Sequence, residues 1–328
     1  MKKLINKLED IVKEMLEGIV ASNSEKLRKV ENFNVIARKE KKNKVGLVSG
    51  GGSGHEPAHA GFVGYGMLDA AVAGEVFTSP TPDQVLEGIK AADSGKGVFL
   101  IIKNYTGDVM NFEMAAEMAE AEGIKVEKII VGDDIAVENS TYTIGKRGIA
   151  GTLFVHKISG SAAEDGADLV EVKRIGEKTV ANLVSMGMSL GACTVPAVGK
   201  PGFELGENEV EIGLGIHGEP GTNRENLKSA DEHTEYLMNL LLKEQGLESG
   251  SEVAVMVNGL GGTPMMELYI INNKIRKILE EQKISINKML VGNYMTALEM
   301  PGFSITILKL DDELKKYLNF KTEVGIFS

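Results

Sequence analysis

Tryptophan is absent from the 328 residues, and cysteine occurs once, at Cys193. A lone thiol excludes an internal disulfide framework and fits a reducing, cytoplasmic compartment. Also missing is any apolar run of the roughly 18 residues that a bilayer-spanning helix requires. The first ten residues are briefly basic but lack the apolar core and cleavage site of a secretory signal. Low-complexity tracts and short internal repeats are absent too. Positive charge is in deficit: 36 Lys and Arg against 47 Asp and Glu leave a formal net charge of −11. That balance argues against nucleic-acid binding and for a small ligand or a protein partner.

What remains describes an ordinary globular chain, 43% apolar and 25% charged, long enough for two domains or one large α/β domain. Over residues 4–19 the spacing places Leu4, Leu8, Ile11, Met15 and Ile19 on one helical face. Aliphatic runs at 45–48, 98–102 and 128–131 read as strands, with helical patterns between them such as 111–121. Such alternation implies a largely parallel sheet covered on both faces. A long helix is predicted at about 168–186. The Gly- and Pro-rich run 189–202 cannot be one regular element, and the domain boundary is placed there. Strands at 210–216, 253–257, 289–292 and 304–310, with helices at about 231–245 and 265–282, predict a second unit. The expected fold is α/β: two α/β domains, each a sheet flanked by helices, over 1–188 and 189–328.

The most informative stretch is Ser49-Gly50-Gly51-Gly52-Ser53-Gly54-His55-Glu56-Pro57. Four glycines in five positions free the backbone to turn sharply and present N–H groups to a ligand. His55 follows where the loop should hand over to a helix, with Pro57 suited to its first turn. A strand, a glycine loop and a titratable side chain make the usual ligand corner of an α/β sheet. No Gly-Lys-Ser/Thr closes the loop as in a Walker A motif, and no third glycine completes a dinucleotide fingerprint. His55-Glu56-Pro57-Ala58-His59 formally matches the zinc-protease helix. Pro57, however, biases Glu56 toward extended backbone, leaving His55 in the loop and only His59 in the helix, so no zinc is expected.

Lys103-Asn104-Tyr105-Thr106-Gly107-Asp108 follows the run 98–102, which puts Lys103 at a strand's carboxyl end and Asp108 in the loop beyond. The pair is either a solvated turn with a surface ion pair or a site in which the carboxylate accepts a hydroxyl proton. Far downstream lies a counterpart, Gly213-Leu214-Gly215-Ile216-His217-Gly218-Glu219-Pro220-Gly221. His217 ends a strand-like run between glycines, where a neutral imidazole can serve as base, metal ligand or nucleophile toward a carbonyl. His156 and His233 sit in helical contexts and read as structural or surface residues. Asn258-Gly259-Leu260-Gly261-Gly262-Thr263-Pro264 reads as scaffold or interface.

The loops at 49–57 and 215–221 occur with Gly-Glu-Val-Phe-Thr-Ser-Pro-Thr-Pro at 74–82, Ile-Lys-Asn-Tyr-Thr-Gly-Asp at 102–108 and Leu-Gly-Ala-Cys-Thr-Val-Pro at 190–196. Together these motifs closely resemble the dihydroxyacetone kinase family, in its dihydroxyacetone-binding subunits, and the likeness covers nearly the whole chain. The resemblance implies that His217 holds the substrate as a reversible hemiaminal between ring nitrogen and ketone carbon. It further implies a substrate pocket of Gly52, Ser53, Gly54, His55, Lys103 and Asp108. Within it Asp108 takes the hydroxyl proton and His55 assists.

No Walker loop, kinase motif set or magnesium-binding carboxylate cluster is evident, so no cofactor is expected on this chain. Because the chain stops at Ser328, it resembles the separate-subunit form rather than members with a further nucleotide-binding domain. ADP or ATP with magnesium is then expected on a partner kinase subunit docking over His217, recharged through a phosphoenolpyruvate-dependent phosphocarrier. A homodimer is implied as well, with neither nucleic acid nor membrane as partner. The rival reading is a paralogue that senses dihydroxyacetone and acts as a transcriptional coactivator.

Overall fold

The computed structural model describes residues 2–137, 139–140, 143–219 and 221–327. Two compact units result, each assembled from separated stretches: residues 2–131, 152–180 and 316–328 in the first, residues 132–151 and 181–315 in the second.

In chain order the first unit begins with α1 (Ile11–Ser22), β1 (Leu27–Lys29), β2 (Val35–Arg38), β3 (Gly46–Ser53) and β4 (Ala70–Val76). It continues with α2 (Pro82–Ala92), β5 (Val98–Lys103), α3 (Thr106–Ala121) and β6 (Val126–Val131). Its sheet runs β1-β2-β4-β3-β5-β6. The four strands β4, β3, β5 and β6 are mutually parallel, and β1 and β2 join antiparallel at one edge. Residues Val98 to Ile102 are all apolar and buried, the pattern of a central strand covered on both faces. On one side Val48, Val72, Leu100 and Ile102 pack with Val85 and Ile89 of α2 and Phe112 and Ala115 of α3. Also in this unit are α4 (Thr152–Glu164), buried along most of its length, and α5 (Leu169–Ala181), which ends at the boundary of the second unit.

The second unit holds a two-residue pair, β7 (Asn139–Ser140) and β8 (Thr143–Ile144), then β9 (Leu183–Ser189), β10 (Glu209–Ile212) and β11 (Asn223–Asn226). After these come α6 (Ala230–Gln245), β12 (Glu252–Gly259), α7 (Met265–Glu281), β13 (Ser285–Gly292) and β14 (Gly302–Leu310). The final helix, α8 (Asp312–Leu318), falls across the boundary between the units. Here the sheet order is β11-β10-β9-β14-β12-β13, antiparallel throughout except for β12 with β13. Val184, Met186, Val255 and Ile305 pack with Leu237 and Leu241 of α6 and Leu268, Ile271 and Ile275 of α7. Local chemistry bounds α6: Ser229 and Glu232 form a capping box, and Gly246 closes the helix in the left-handed region.

The expected fold class holds, two α/β units each with a sheet flanked by helices, although the units interleave along the chain and do not divide at 188/189. Four local expectations need correction. Helix α1 begins at Ile11 rather than Leu4; Val12 and Leu16 form its buried stripe, while Leu4 and Leu8 are exposed. The helix expected at 168–186 ends at Ala181, because the sequence then changes period: Val184, Met186 and Met188 enter one core while Ser185 bonds to Thr306 on the adjoining strand. Strand β10 stops at Ile212, where Gly213 turns left-handed at φ 71°, so His217 lies five residues past the strand end. Pro57 opens no helix; a single 3-10 turn, Ala60–Phe62, follows His59.

Leu100 is fully buried in β5, whereas Val170 on α5 is 72% exposed. We expect Leu100→Ala to cost about 2–5 kcal/mol in urea denaturation. Val170→Ala should stay within about 0.5 kcal/mol of wild type.

Candidate active site

The glycine run is not a loop after a strand; it is the strand. Gly50, Gly51 and Gly52 pair in parallel register with Val72, Ala73 and Gly74 of β4, and β3 ends only at Ser53, past a register shift. A glycine run inside a strand marks a close approach of other groups. Gly51 has φ 151°, and a Cβ there would stand 2.3 Å from Lys103 Nζ and 3.2 Å from Asp108 Oδ2. The missing side chain is therefore the space that the Lys103–Asp108 pair occupies.

Lys103, last residue of β5, is fully buried, which rules out the solvated-turn reading of this pair. Its ammonium donates to Gly50 O and to Asp108 Oδ2, each at 3.1 Å. Asp108 lies not in a loop but in the first turn of α3, where the helix dipole favours an acid. Its other oxygen, Oδ1, accepts from Ser79 Oγ at 2.5 Å.

The segment Phe77–Ser79 braces this arrangement. Phe77 stacks on the buried His55 ring, centroids 5.1 Å apart and planes 19° from parallel. The Thr78 amide lies 2.6 Å from where a Cβ on Gly52 would be, and Ser79 holds Asp108. Ser53 Oγ donates to Gly74 O at 2.7 Å, and Gly54 N–H donates to both Glu56 carboxylate oxygens at 3.1 and 3.0 Å. Gly52, Ser53, Gly54, His55, Lys103 and Asp108 thus share one corner of the first unit. Sequence reading did not single out Ser79 or Phe77 as site residues, although both fall inside the 74–82 motif.

His59 turns to the interior. Its Nδ1 is 3.5 Å from Ser49 Oγ, and its ring centroid is 5.2 Å from that of the fully buried His156. Burial, reinforced by the positive charge of Lys103, pushes His156 down to about 3 and His59 well below the usual imidazole range. Both rings are neutral at physiological pH. Among the described residues no group of three or more His, Cys, Asp or Glu could hold a metal ion.

His217, in the second unit, is about one-fifth exposed through its side chain. Its backbone N–H donates to Glu219 Oε2 at 2.8 Å, and its Nδ1 is 3.8 Å from Glu219 Oε1. Gly215 leaves room for that carboxylate, since a Cβ there would fall 1.9 Å from Glu219 Oε1 and 2.8 Å from Arg147 Nη1. Arg147 is fully buried; its Nε and Nη2 contact Asp134 Oδ2 at 2.9 and 2.7 Å, and Nη2 donates to Gly213 O at 2.6 Å. Burial alone would raise the Glu219 pKa, but the His217 contact and the Arg147 charge outweigh it and hold the carboxyl at about 2. At Asp134 burial wins over Arg147 and lifts the carboxyl to about 6.

Glu219, Arg147 and Asp134 were not expected as site residues. Their sequence signal was slight: an acid two positions after His217, and Asp133-Asp134 just past a strand. Pro220 lies outside the described residues. The Asn258–Pro264 loop is scaffold within its unit: the Asn258 carboxamide accepts from the Tyr294 and Met295 amides, and Thr263 Oγ1 both donates to Gly302 O and accepts from Gly302 N.

A Dak1 domain model matches residues 17–325. Among curated proteins the chain is 58% identical over 314 residues to the PTS-dependent dihydroxyacetone kinase 1, dihydroxyacetone-binding subunit DhaK, of Listeria innocua serovar 6a, covering 95% of each chain. Among solved structures it resembles the native dihydroxyacetone kinase of C. freundii, with 38% identity and a TM-score of 0.91, over 98% of this chain and 59% of that one. It also resembles the dihydroxyacetone kinase operon co-activator DhaQ, with 37% identity and a TM-score of 0.90, over 96% of this chain and 97% of the other.

Two measurements test this geometry. Removing one member of a buried ion pair strands the other, so Lys103→Met should cost about 3–5 kcal/mol, with much of the loss recovered in Lys103→Met/Asp108→Leu. A urea double-mutant cycle reads both. His156 has a folded pKa below its unfolded one, so unfolding takes up a proton. Stability is then complete above about pH 6.5 and declines toward about pH 3, by up to ~1.4 kcal/mol per unit. Urea midpoints at pH 4.5 and 7.5 should differ less in His156→Phe than in wild type.

Proposed function

This chain belongs to the Dak1 domain family, and from that premise we propose that it is the dihydroxyacetone-binding, catalytic subunit of a dihydroxyacetone kinase. The observation that carries the reading is the 58% identity to a dihydroxyacetone-binding subunit along 95% of both chains. The activity is phosphotransfer, and the product is dihydroxyacetone phosphate.

Roles pass to residues one at a time. His217 captures the ketone carbon as a hemiaminal. Gly52, Ser53, Gly54, His55 and Lys103 bind the substrate, Asp108 accepts the proton of the hydroxyl to be phosphorylated, and His55 assists that transfer. The physical logic is selection. A three-carbon ligand offers too few atoms for contacts alone to give high affinity or to reject glycerol. Covalent capture demands a carbonyl, which glycerol lacks, and fixes the hydroxyl for phosphoryl transfer, where positioning is most of a protein's contribution.

Asp108 suits its role because Lys103 and Ser79 lock its orientation, so a proton acceptor is held ready rather than found. ADP or ATP with magnesium, carried by a partner kinase subunit and recharged through a phosphoenolpyruvate-dependent phosphocarrier, supplies the phosphoryl group. Homodimerisation and a cytoplasmic location complete the reading. Among the described residues no helix is long and apolar enough to cross a membrane. The coactivator alternative is not favoured: sensing the ketone needs a capturing histidine and a pocket, but not a locked carboxylate.

Intact-mass measurement with dihydroxyacetone should show an adduct on wild type that peptide mapping places on His217 and that His217→Ala lacks. Asp108→Asn should keep the adduct and lose at least about 10²-fold in turnover with the kinase partner present. Normal turnover by Asp108→Asn would overturn the base assignment.

A further inference from the structure

We infer that Glu219 is a positioning residue for His217, taking the ring's Nδ1–H so that Nε2 is left as the nucleophilic nitrogen, with Arg147 fixing the carboxylate. This inference rests on the reading of His217 as the residue that captures the ketone.

The carboxylate is only 6% exposed and is gripped at one oxygen, where Oε2 accepts from the His217 backbone N–H. Its second oxygen has no hydrogen bond and stands 3.8 Å from both His217 Nδ1 and Arg147 Nη1. That separation suits an ion pair; a hydrogen bond needs roughly 2.7–3.2 Å, so a small rotation closes it. Arg147 cannot follow, because Asp134 and the Gly213 carbonyl hold its other nitrogens. Gly215 keeps the space beside the carboxylate and the guanidinium clear of a side chain. Nδ1 therefore faces a buried anion, and Nε2 lies on the opposite edge of a partly exposed ring.

The charge count points the same way. One buried cation, Arg147, stands among two carboxylates, Asp134 and Glu219, and Asp133 immediately precedes Asp134 in the chain. With Asp134 and Glu219 ionised, the trio of Arg147, Asp134 and Glu219 carries one net negative charge. Attack by the Nε2 lone pair forms the C–N bond, and the carbonyl π pair moves to oxygen as an alkoxide. The ring becomes an imidazolium whose Nδ1–H points at Glu219, and the cluster gains the positive charge it lacked. The alkoxide then takes a proton from solvent while Nδ1 returns one, so the adduct is a neutral sum of histidine and ketone. No oxidant or further reactant enters. A carboxylate that orients an imidazole and stabilises its charged form serves the same purpose in the serine-protease triad.

The test compares wild type, Glu219→Gln, Glu219→Asp and His217→Ala at neutral pH, with two readouts. Nitrogen-15 NMR of histidine-labelled protein reports the His217 tautomer, and intact mass against dihydroxyacetone concentration reports capture. We expect Nδ1–H in wild type and a shift toward Nε2–H in Glu219→Gln. The ketone concentration for half-capture should rise at least about tenfold in Glu219→Gln, and less in Glu219→Asp, which keeps a carboxylate. Unchanged capture by Glu219→Gln, or weakened capture with the wild-type tautomer, would overturn the inference while the hemiaminal reading stands. An adduct that persists in His217→Ala would overturn that reading and the inference with it. Should Glu219→Gln fail to fold, a wild-type ring already in the Nε2–H form would decide against the proposal, and Nδ1–H with partial capture by Glu219→Asp would support it.

Discussion

A cation removed from water must be neutralised within a few ångströms, because its desolvation costs several kcal/mol even after the protein relaxes. Each unit buries such a charge at its candidate site, Lys103 in the first and Arg147 in the second, and the site groups are arranged around it. In the first, Lys103 finishes a fully buried strand and can be satisfied only by what lies at the sheet's carboxyl edge: Gly50 O and Asp108. That need fixes the start of α3, which must bring an acid into its first turn, and fixes Gly51, which must have no side chain. Ser79 takes the free carboxylate oxygen and ties in the segment on which His55 stacks. A single ion pair thus determines where most of the corner's polar groups stand.

The second unit meets the same constraint by other means. Its sheet is almost wholly antiparallel, so it lacks the open carboxyl edge at which α/β proteins usually bind ligands. Its buried cation, Arg147, comes from the 132–151 stretch and is held by Asp134 of that stretch and by the loop that follows β10. His217 sits in that loop with its ring close to a carboxylate that the guanidinium faces. The imidazole is therefore oriented by an ion network rather than by a strand end. The difference suits the separate roles proposed for the units: proton acceptance requires a locked acid, and covalent capture requires a ring with one nitrogen engaged and the other available.

Much of this was legible in sequence where a feature depends on neighbours in the chain. The run 98–102 announced its strand, the pattern over about 231–245 announced α6, and the glycine-rich motifs marked both candidate site segments. Illegible features were those set by distant partners. Residues 182–186 continue a helical pattern until the strands that flank β9 are known, and only then does their alternation decide the matter. Glycines 50–52 read as a loop because a strand made of them has no propensity of its own; pairing with β4 makes it one. Arg147 lies 70 residues before His217 in the chain, and only tertiary folding sets its guanidinium facing Glu219, so spacing could not reveal it.

Fold alone leaves the function of such a chain open, since a kinase and an operon co-activator share its architecture at TM-scores of 0.91 and 0.90. The decision falls to individual polar groups and to what their burial costs. A buried ion pair is weak evidence for stability, because a well-packed apolar pair of similar volume is often as good or better. Lys103 and Asp108 are both almost wholly out of solvent, and Asp108 is held at both oxygens. A protein that only sensed a ketone could replace this pair with apolar side chains and lose little. One that must accept a proton from a bound hydroxyl could not, because the reaction needs the carboxylate in one orientation and near no competing donor but those that lock it. The cost of burying this pair is what a phosphoryl-transfer subunit, and not a sensor, has reason to bear.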